Sequence, residues 1–94
     1  MSGGSLDYVY IRIEQASDEI TLTLLKQGKK DEWEYTYPVY SDVVQEELRK
    51  IAYHLRLASK FAKEAEWLFS GDTGEDTFLD RISEIYEEED LVRP

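Results

Sequence analysis

The feature that most constrains this chain is an uninterrupted heptad repeat of apolar residues between Ser41 and Ser70. The repeat advances in alternating steps of four and three residues. Its members are Val44, Leu48, Ile51, Leu55, Ala58, Ala62, Ala65 and Phe69. Ser41 is suited to cap such a helix, and Asp42 complements the positive end of the helix dipole. The sequence therefore predicts one long helix over residues 41–70.

The apolar stripe of this helix, which we call the seam, needs a partner. Ala52, Phe61 and Leu68 widen it on one flank, which favours packing on a broad layer over the narrow stripe of an isolated coiled coil. The alanines in its second half admit close approach of another backbone. A dimeric coiled coil is the alternative that the repeat leaves open.

Three segments before the long helix alternate apolar and polar residues with the period of two that is typical of β-strands. They lie at residues 8–13, 20–24 and 33–39, with turns expected near residues 15–18 and 27–31. Pro38 is expected at the end of the third strand, because it lacks an amide donor. For the first segment, a short helix with Leu6, Val9, Tyr10 and Ile13 on one side remains an alternative.

Short connections between these segments favour an antiparallel meander with one apolar face under the long helix. That face would hold Val9, Ile11, Ile13, Ile20, Leu22, Leu24, Trp33, Tyr35, Tyr37 and Val39. A second, short helix is indicated by the stripe from Phe78 to Tyr86. The predicted fold class is α+β, in the order βββαα. Residues 1–6 are expected to be a flexible N-terminus, 7–90 a single domain and 91–94 a tail.

The segment SGDTGED, residues 70–76, joins the two predicted helices. Gly71 is placed to end the long helix with a positive φ angle. A capping box starts the next helix, either from Asp72 with Glu75 or from Thr73 with Asp76. A short connection makes the two helices antiparallel. A cation-binding loop is the competing interpretation of the acids between Asp72 and Asp80, but the spacing of a calcium loop is absent.

The two ends of the chain resemble a group of small uncharacterised proteins from bacteriophages and prophages. The similar segments are SGGSLDYVYIRIE and AYHLRLASKFAKEAEWLFSGDTGEDTFLDRI, which correspond to an N-terminal SGGSxDY segment and a later EWxxSGDxGE motif. The resemblance covers about half the chain and omits the stretch from Asp18 to Tyr40. It implies a phage origin and no particular chemistry, and it favours a native SGGS segment over a cloning scar.

The charge of the chain is strongly and unevenly negative. It has 21 acids against 11 bases, a net charge of −10. Residues 71–94 hold nine of these acids and two bases, whereas residues 41–70 are balanced with five of each. Such a field repels nucleic acid phosphates and attracts basic protein surfaces. We therefore expect a protein partner with a basic surface and no direct nucleic acid binding.

Features of other functional classes are missing from the sequence. It has no cysteine, one histidine (His54) and no apolar run of membrane-spanning length. His54 has no serine or carboxylate at a spacing that suggests a catalytic relay, and no phosphate-binding or metalloprotease motif occurs. We expect a cytoplasmic protein, in the host cytoplasm if a phage encodes it, that is no enzyme and has no cofactor, metal or membrane association.

The sequence hypothesis for function is recognition of another protein. One form is an inhibitor of a host defence or nucleic acid enzyme, of the anti-CRISPR or DNA-mimic type. Tyrosines on the open face of the sheet and acids near the C-terminus would make the contacts. The candidate partner-binding residues are Tyr8, Tyr10, Leu25, Glu84, Glu87, Glu88, Glu89 and Asp90. The alternatives are a small homodimeric structural or accessory protein and a weak divalent cation binder at residues 72–80. The simplest interpretation is that the tyrosines are half-covered residues of the sheet and that the acids only confer solubility.

Overall fold

The computed structural model describes residues 6–92, and these residues form three α-helices. Helix α1 spans Val9–Leu25, α2 spans Asp42–Phe69 and α3 spans Glu75–Glu88. Helices α1 and α3 each pack on α2, which is the central element. The described residues contain no β-strand. The prediction of an α+β fold with a three-stranded meander is therefore wrong.

Residues 9–25, which include most of the first two predicted strands, form one helix instead. Ile13, Ser17, Ile20 and Leu24 recur at steps of four, three and four, so the segment carries a helical stripe beneath its period-two pattern. The expected turn at residues 15–18 contains no Gly or Pro to break a helix. Burial against α2 overrides the preference of Val, Ile and Thr for strands, which depends strongly on context.

The threonine side chains of α1 form hydrogen bonds to backbone carbonyl groups within the helix. Thr21 donates its hydroxyl to the Ser17 carbonyl oxygen at 3.3 Å, and Thr23 donates to the Glu19 carbonyl oxygen at 2.8 Å. Both are bonds to the preceding helical turn, which Thr commonly makes when it lies inside a helix.

The third predicted strand is an irregular loop. The Asp31 carboxylate accepts hydrogen bonds from the backbone amides of Trp33 and Tyr35, both at 2.9 Å, and this closes a tight turn. The only β-type pairing among residues 6–92 is an isolated bridge between Lys30 and Thr36. The side chains of Trp33 and Tyr35 are exposed, so they form no part of a core.

The prediction for α2 is confirmed at both ends. The Ser41 hydroxyl accepts from the Val44 amide at 3.4 Å and caps the helix. At the other end Gly71 has a φ angle of 80°, and the Asp72 amide donates to the Trp67 carbonyl oxygen at 2.9 Å. This is the Schellman arrangement that favours glycine.

The start of α3 differs from the prediction. Its N-cap is Gly74, which makes no side-chain cap hydrogen bond. Neither proposed capping register, from Asp72 or from Thr73, is the one adopted. The predicted flexible residues 1–5 and residues 93 and 94 of the predicted tail lie outside the described residues.

The molecule is elongated and thinly packed. Its Cα radius of gyration is 17.1 Å, whereas a compact domain of this length has about 12 Å. Among the described residues, Ala52 and Ile85 are the only hydrophobic residues classed as buried. The molecule measures 51 × 32 × 15 Å, so its shortest dimension is only slightly greater than the diameter of one α-helix, about 10–12 Å. Much of its apolar surface therefore faces outwards.

Candidate functional site

Helix α1 packs on a stripe of small and polar residues of α2. This stripe consists of Ala52, Ser59 and Glu66, spaced seven residues apart and all buried. The Ser17 hydroxyl donates to the Ala52 carbonyl oxygen at 2.7 Å, and the Ser59 hydroxyl donates to the Tyr10 carbonyl oxygen at 3.0 Å. These contacts show that α1 runs antiparallel to α2 and approaches it closely.

Because α1 packs on this stripe, the seam of α2 does not face α1 directly. Each residue of an α-helix is rotated by about 100° from the one before it. Ile51 therefore points about a quarter turn away from Ala52, which faces α1. Ile51 stays 46% exposed and Val44 stays 43% exposed. The seam is only half covered by α1.

An open apolar groove runs along this uncovered side, between α1 and the N-terminal half of α2. Its volume is about 480 Å³. We call it the seam groove, and its lining residues are Ala16, Glu19, Ile20, Thr23, Tyr40, Val44 and Leu48. Ile51 follows Leu48 by one helical turn on the same stripe of α2 and is exposed just beyond the lining residues. A groove of this shape is suited to an amphipathic helix.

Glu66 links α2 to the beginning of α1. Its side chain is 0% exposed, and its Oε2 accepts the backbone amide of Tyr8 at 2.9 Å. Tyr8 is the N-cap residue of α1 and has no side-chain cap of its own. A carboxylate at this end also complements the helix dipole. Asp7 and Tyr8 have φ angles of 55° and 53°, a region that non-glycine residues rarely adopt.

Helix α3 is held on α2 by charged contacts near its C-terminus. Lys60 Nζ donates to Glu89 Oε1 at 3.0 Å, and Arg56 lies 4.0 Å from the same oxygen. The Glu89 side chain is 13% exposed. The hydrogen bond from Lys60, strengthened by the positive charges of Lys60 and Arg56, lowers the pKa of Glu89 below its ordinary value of 4.5.

Cations also pack on Trp67 at the other end of this helix pair. Lys63 Nζ lies 4.6 Å from the centre of the Trp67 ring, and the Arg81 guanidinium lies 5.5 Å from it. Arg81 also approaches Glu64 at 3.7 Å. Of the five bases of α2, Arg56 and Lys60 therefore contact acids at the end of α3, and Lys63 packs on Trp67 of its own helix.

One face of α3 carries a row of acids, and Glu84 at the edge of this face also lines a pocket with Lys60, Lys63 and Arg81. Asp76, Asp80, Glu84 and Glu87 follow one another at steps of four, four and three, so they lie on one face of the helix. All four are exposed, and none has an ion pair with another residue in the described range 6–92. We call these four residues the acidic row; it extends over about 16 Å.

The structure separates the tyrosine and leucine candidates. Tyr8 and Tyr10 lie at the start of α1, where their ring centres are 6.4 Å apart. Tyr8 is exposed and Tyr10 is half-buried. Leu25 is exposed at the opposite end of the same helix, about 25 Å away. Residues 6–92 form no sheet face that could bring the three together, so this support for a recognition surface is lost.

The acidic candidates fall into three sets. Glu84 and Glu87 belong to the acidic row. Glu88 lies 3.8 Å from Lys60 and Glu89 is hydrogen-bonded to it, so both are engaged with α2. Asp90 is exposed just beyond α3, with a φ angle of 51°.

The remaining chemical candidates stay apart. In residues 6–92, no three histidine or acidic side chains are grouped so as to hold a metal ion. His54 is exposed on α2, with its ring 5.8 Å from that of Tyr53. Within the same described range, no helix has both the length and the apolar character needed to cross a bilayer.

Sequence reasoning missed the second stripe of α2. Ala52, Ser59 and Glu66 recur every seven residues, one position after Ile51, Ala58 and Ala65 of the seam. A heptad spacing of small and polar residues is a signal for close helix contact that could have been read from the sequence. Ile20 and Tyr40 were likewise missed as groove residues, because they were assigned to strands or a loop.

Comparison of the chain with protein-family models, curated proteins and solved structures finds no match. The resemblance to phage proteins therefore stays a prediction.

Proposed function

We propose that this protein acts without catalysis, by binding a basic surface of another protein through the acidic row of α3. The observation that carries the proposal is the unneutralised state of that row: its four carboxylates are exposed and have no ion pair among residues 6–92. They sit in the part of the chain that holds nine acids and two bases. A basic surface would supply the missing counter-charges.

The docking of α3 supports this role by orienting the row. Lys60 and Arg56 contact Glu89, and Ile85 is buried on the same side. Asp76, Asp80 and Glu87 of the row point away from Ile85 on a helix that is anchored to α2, and Glu84 lies at the edge of the row, where it also lines a pocket beside α2. Charges on an anchored helix keep fixed distances from one another, which favours recognition of a matching pattern over diffuse attraction.

A specific form of the proposal is a phage-encoded inhibitor in the host cytoplasm. Its acidic row would occupy a basic groove in which a defence or nucleic acid enzyme normally holds phosphates. Carboxylates separated by one helical turn offer the arginine and lysine side chains of such a groove repeated acceptors. The phage resemblance and the net charge of −10 support this form.

The experiment neutralises the row and measures capture of partners from a bacterial lysate. The test variant carries Asp80→Asn, Glu84→Gln and Glu87→Gln. We expect it to lose the proteins that the unchanged chain captures at low salt. We also expect about 0.5 M salt to release them, because the Debye length falls to a few ångströms there.

The matched control removes the same number of charges elsewhere. It carries Glu14→Gln, Asp18→Asn and Glu46→Gln, three exposed residues of α1 and α2. This variant should keep the captured proteins. Equal loss in both variants would show a mere effect of net charge, and retention by the α3 variant would refute the proposal.

A further inference from the structure

We propose that a second copy of this chain covers the seam groove, in a two-fold symmetric dimer with the two α2 helices antiparallel across Ile51. This goes beyond the proposed binding of a basic protein, because it concerns a different face. The acidic row lies on α3, whereas the seam groove lies between α1 and α2. The two surfaces can be tested separately.

The chain exposes enough surface to form a dimer interface. The chain exposes 6900 Å² at a mass of 11.0 kDa, whereas a compact monomer of that mass exposes about 5,600 Å². The excess of about 1,300 Å² exceeds the ~800 Å² that each partner buries in an interface of standard size. The exposed seam residues Val44 and Ile51 supply the apolar centre that such an interface needs.

The second argument is that the chain itself presents the helix that fits the groove. Helix-binding grooves accept apolar side chains at successive helical turns. The exposed or half-exposed seam residues Ile51, Leu55 and Ala58 have that spacing. Val44 and Leu48 line the groove, so a two-fold axis through Ile51 lays Ile51, Leu55 and Ala58 of each copy over the groove of the other.

The third argument fixes the direction of the two helices. Ile51 lies midway between Val44 and Ala58, and all three are exposed. An antiparallel pair centred on Ile51 sets each valine at position 44 against the alanine at position 58 of the second copy. A parallel pair would instead set valine on valine and leave a gap between the two alanines, and gaps weaken packing.

The fourth argument is electrostatic. Residues 41–70 carry five acids and five bases, so two α2 helices meet without the repulsion that the net charge of −10 suggests. Glu47 and His54 are exposed on the same flank of the seam, seven residues apart. The antiparallel pair brings Glu47 of one copy to the level of His54 of the second copy, an acceptor beside a donor.

The test uses sedimentation equilibrium of the full chain from low to several hundred micromolar. The unchanged chain should reach twice 11.0 kDa. Val44→Glu and Ile51→Glu should each weaken dimerisation about 100-fold or more, since the symmetric interface loses two apolar contacts and gains two carboxylates. Circular dichroism should show unchanged helix content in both.

The matched control is Val43→Glu. Val43 adjoins Val44 in the first turn of α2 and is 74% exposed, but it does not line the groove. Its change to Glu alters helix propensity and charge in the same way and should leave the dimer intact. A monomer at every concentration of the unchanged chain would overturn the proposal. So would a dimer that survives Val44→Glu, or one that Val43→Glu weakens equally.

Cross-linking locates the symmetry axis. The chain has no cysteine, so a single Ile51→Cys substitution supplies the only thiol. A short thiol cross-linker should join two copies through position 51 and should fail with Val43→Cys. Equal cross-linking at both positions would refute the antiparallel arrangement. The triple neutralisation of the acidic row should leave the mass unchanged, which separates this test from that of the proposed function.

Discussion

The contact between Glu66 and the start of α1 is expected to be a main determinant of stability. Replacement of Glu66 by alanine removes the acceptor that lies 2.9 Å from the Tyr8 amide. A hydrogen bond to a charged acceptor contributes about 1.5–3 kcal/mol, and the partial exposure of Tyr8 lets water replace some of it. We therefore expect Glu66→Ala to lower the free energy of unfolding by about 2 kcal/mol. For a small domain this is a large fraction of the total.

The measurement is urea unfolding followed by circular dichroism, at one fixed protein concentration because self-association adds to apparent stability. Hydrogen exchange gives the local counterpart. Loss of the cap should speed the exchange of amides in the first turn of α1 more than those of α3. Glu66→Gln keeps a carbonyl acceptor at the same position, so it should retain most of the stability that the alanine variant loses.

The control is Glu46→Ala, another glutamate of α2, which is exposed and should change stability by less than about 0.5 kcal/mol. The reasoning would be refuted if Glu66→Ala matched this control. It would also be refuted if exchange at the start of α1 were unchanged while stability fell, because the loss would then arise from the cavity and not from the cap.

Two further predictions concern the C-terminus of α3 and the connection between α2 and α3. The pKa of Glu89 is lowered by its hydrogen bond from Lys60 and by the nearby charges of Lys60 and Arg56. Its contribution to stability should therefore be fully present above pH 4.5 and lost as the pH falls through the lowered value. Glu89→Gln should flatten this part of the pH dependence in melting experiments, and an unchanged acid profile would contradict the assignment. In the connection between α2 and α3, Gly71 has a φ angle of 80° and Gly74 has −87°, and neither has an atom within 4 Å of an added Cβ. Gly71→Ala should therefore cost about 1 kcal/mol in chemical unfolding and Gly74→Ala less, and the reverse order would refute the strain argument.

The parts of the fold that could be predicted from the sequence are those with one strong local signal. The heptad seam and Ser41 predicted the position of α2, and Gly71 predicted its end. These patterns favour the formation and the termination of a helix in almost any surroundings. The stripe from Phe78 to Tyr86 located α3. The cap of α3 was missed because three consecutive residues, Asp72 to Gly74, can each precede a helix.

Residues 8–24 show why the remainder was harder. Their β-branched residues and period-two alternation favour a strand, while Ile13, Ser17, Ile20 and Leu24 also form a helical stripe. The energetic difference between these choices is small until a partner surface is present. The prediction of strands placed the candidate tyrosines on an open sheet face, whereas the structure places them at the start of a helix.

The sequence alone determined the long helix α2, its two apolar and polar heptad stripes, and the concentration of negative charge after residue 70. Only the tertiary structure decided which stripe faces inwards. Ala52, Ser59 and Glu66 offer α1 a closer approach and hydrogen-bonding partners, so α1 packs there and the larger seam residues stay partly outside. The two stripes lie a single residue apart, and that offset is resolved by side-chain contacts between distant segments. For this reason the seam, whose heptad pattern predicts a buried core, borders an open groove instead.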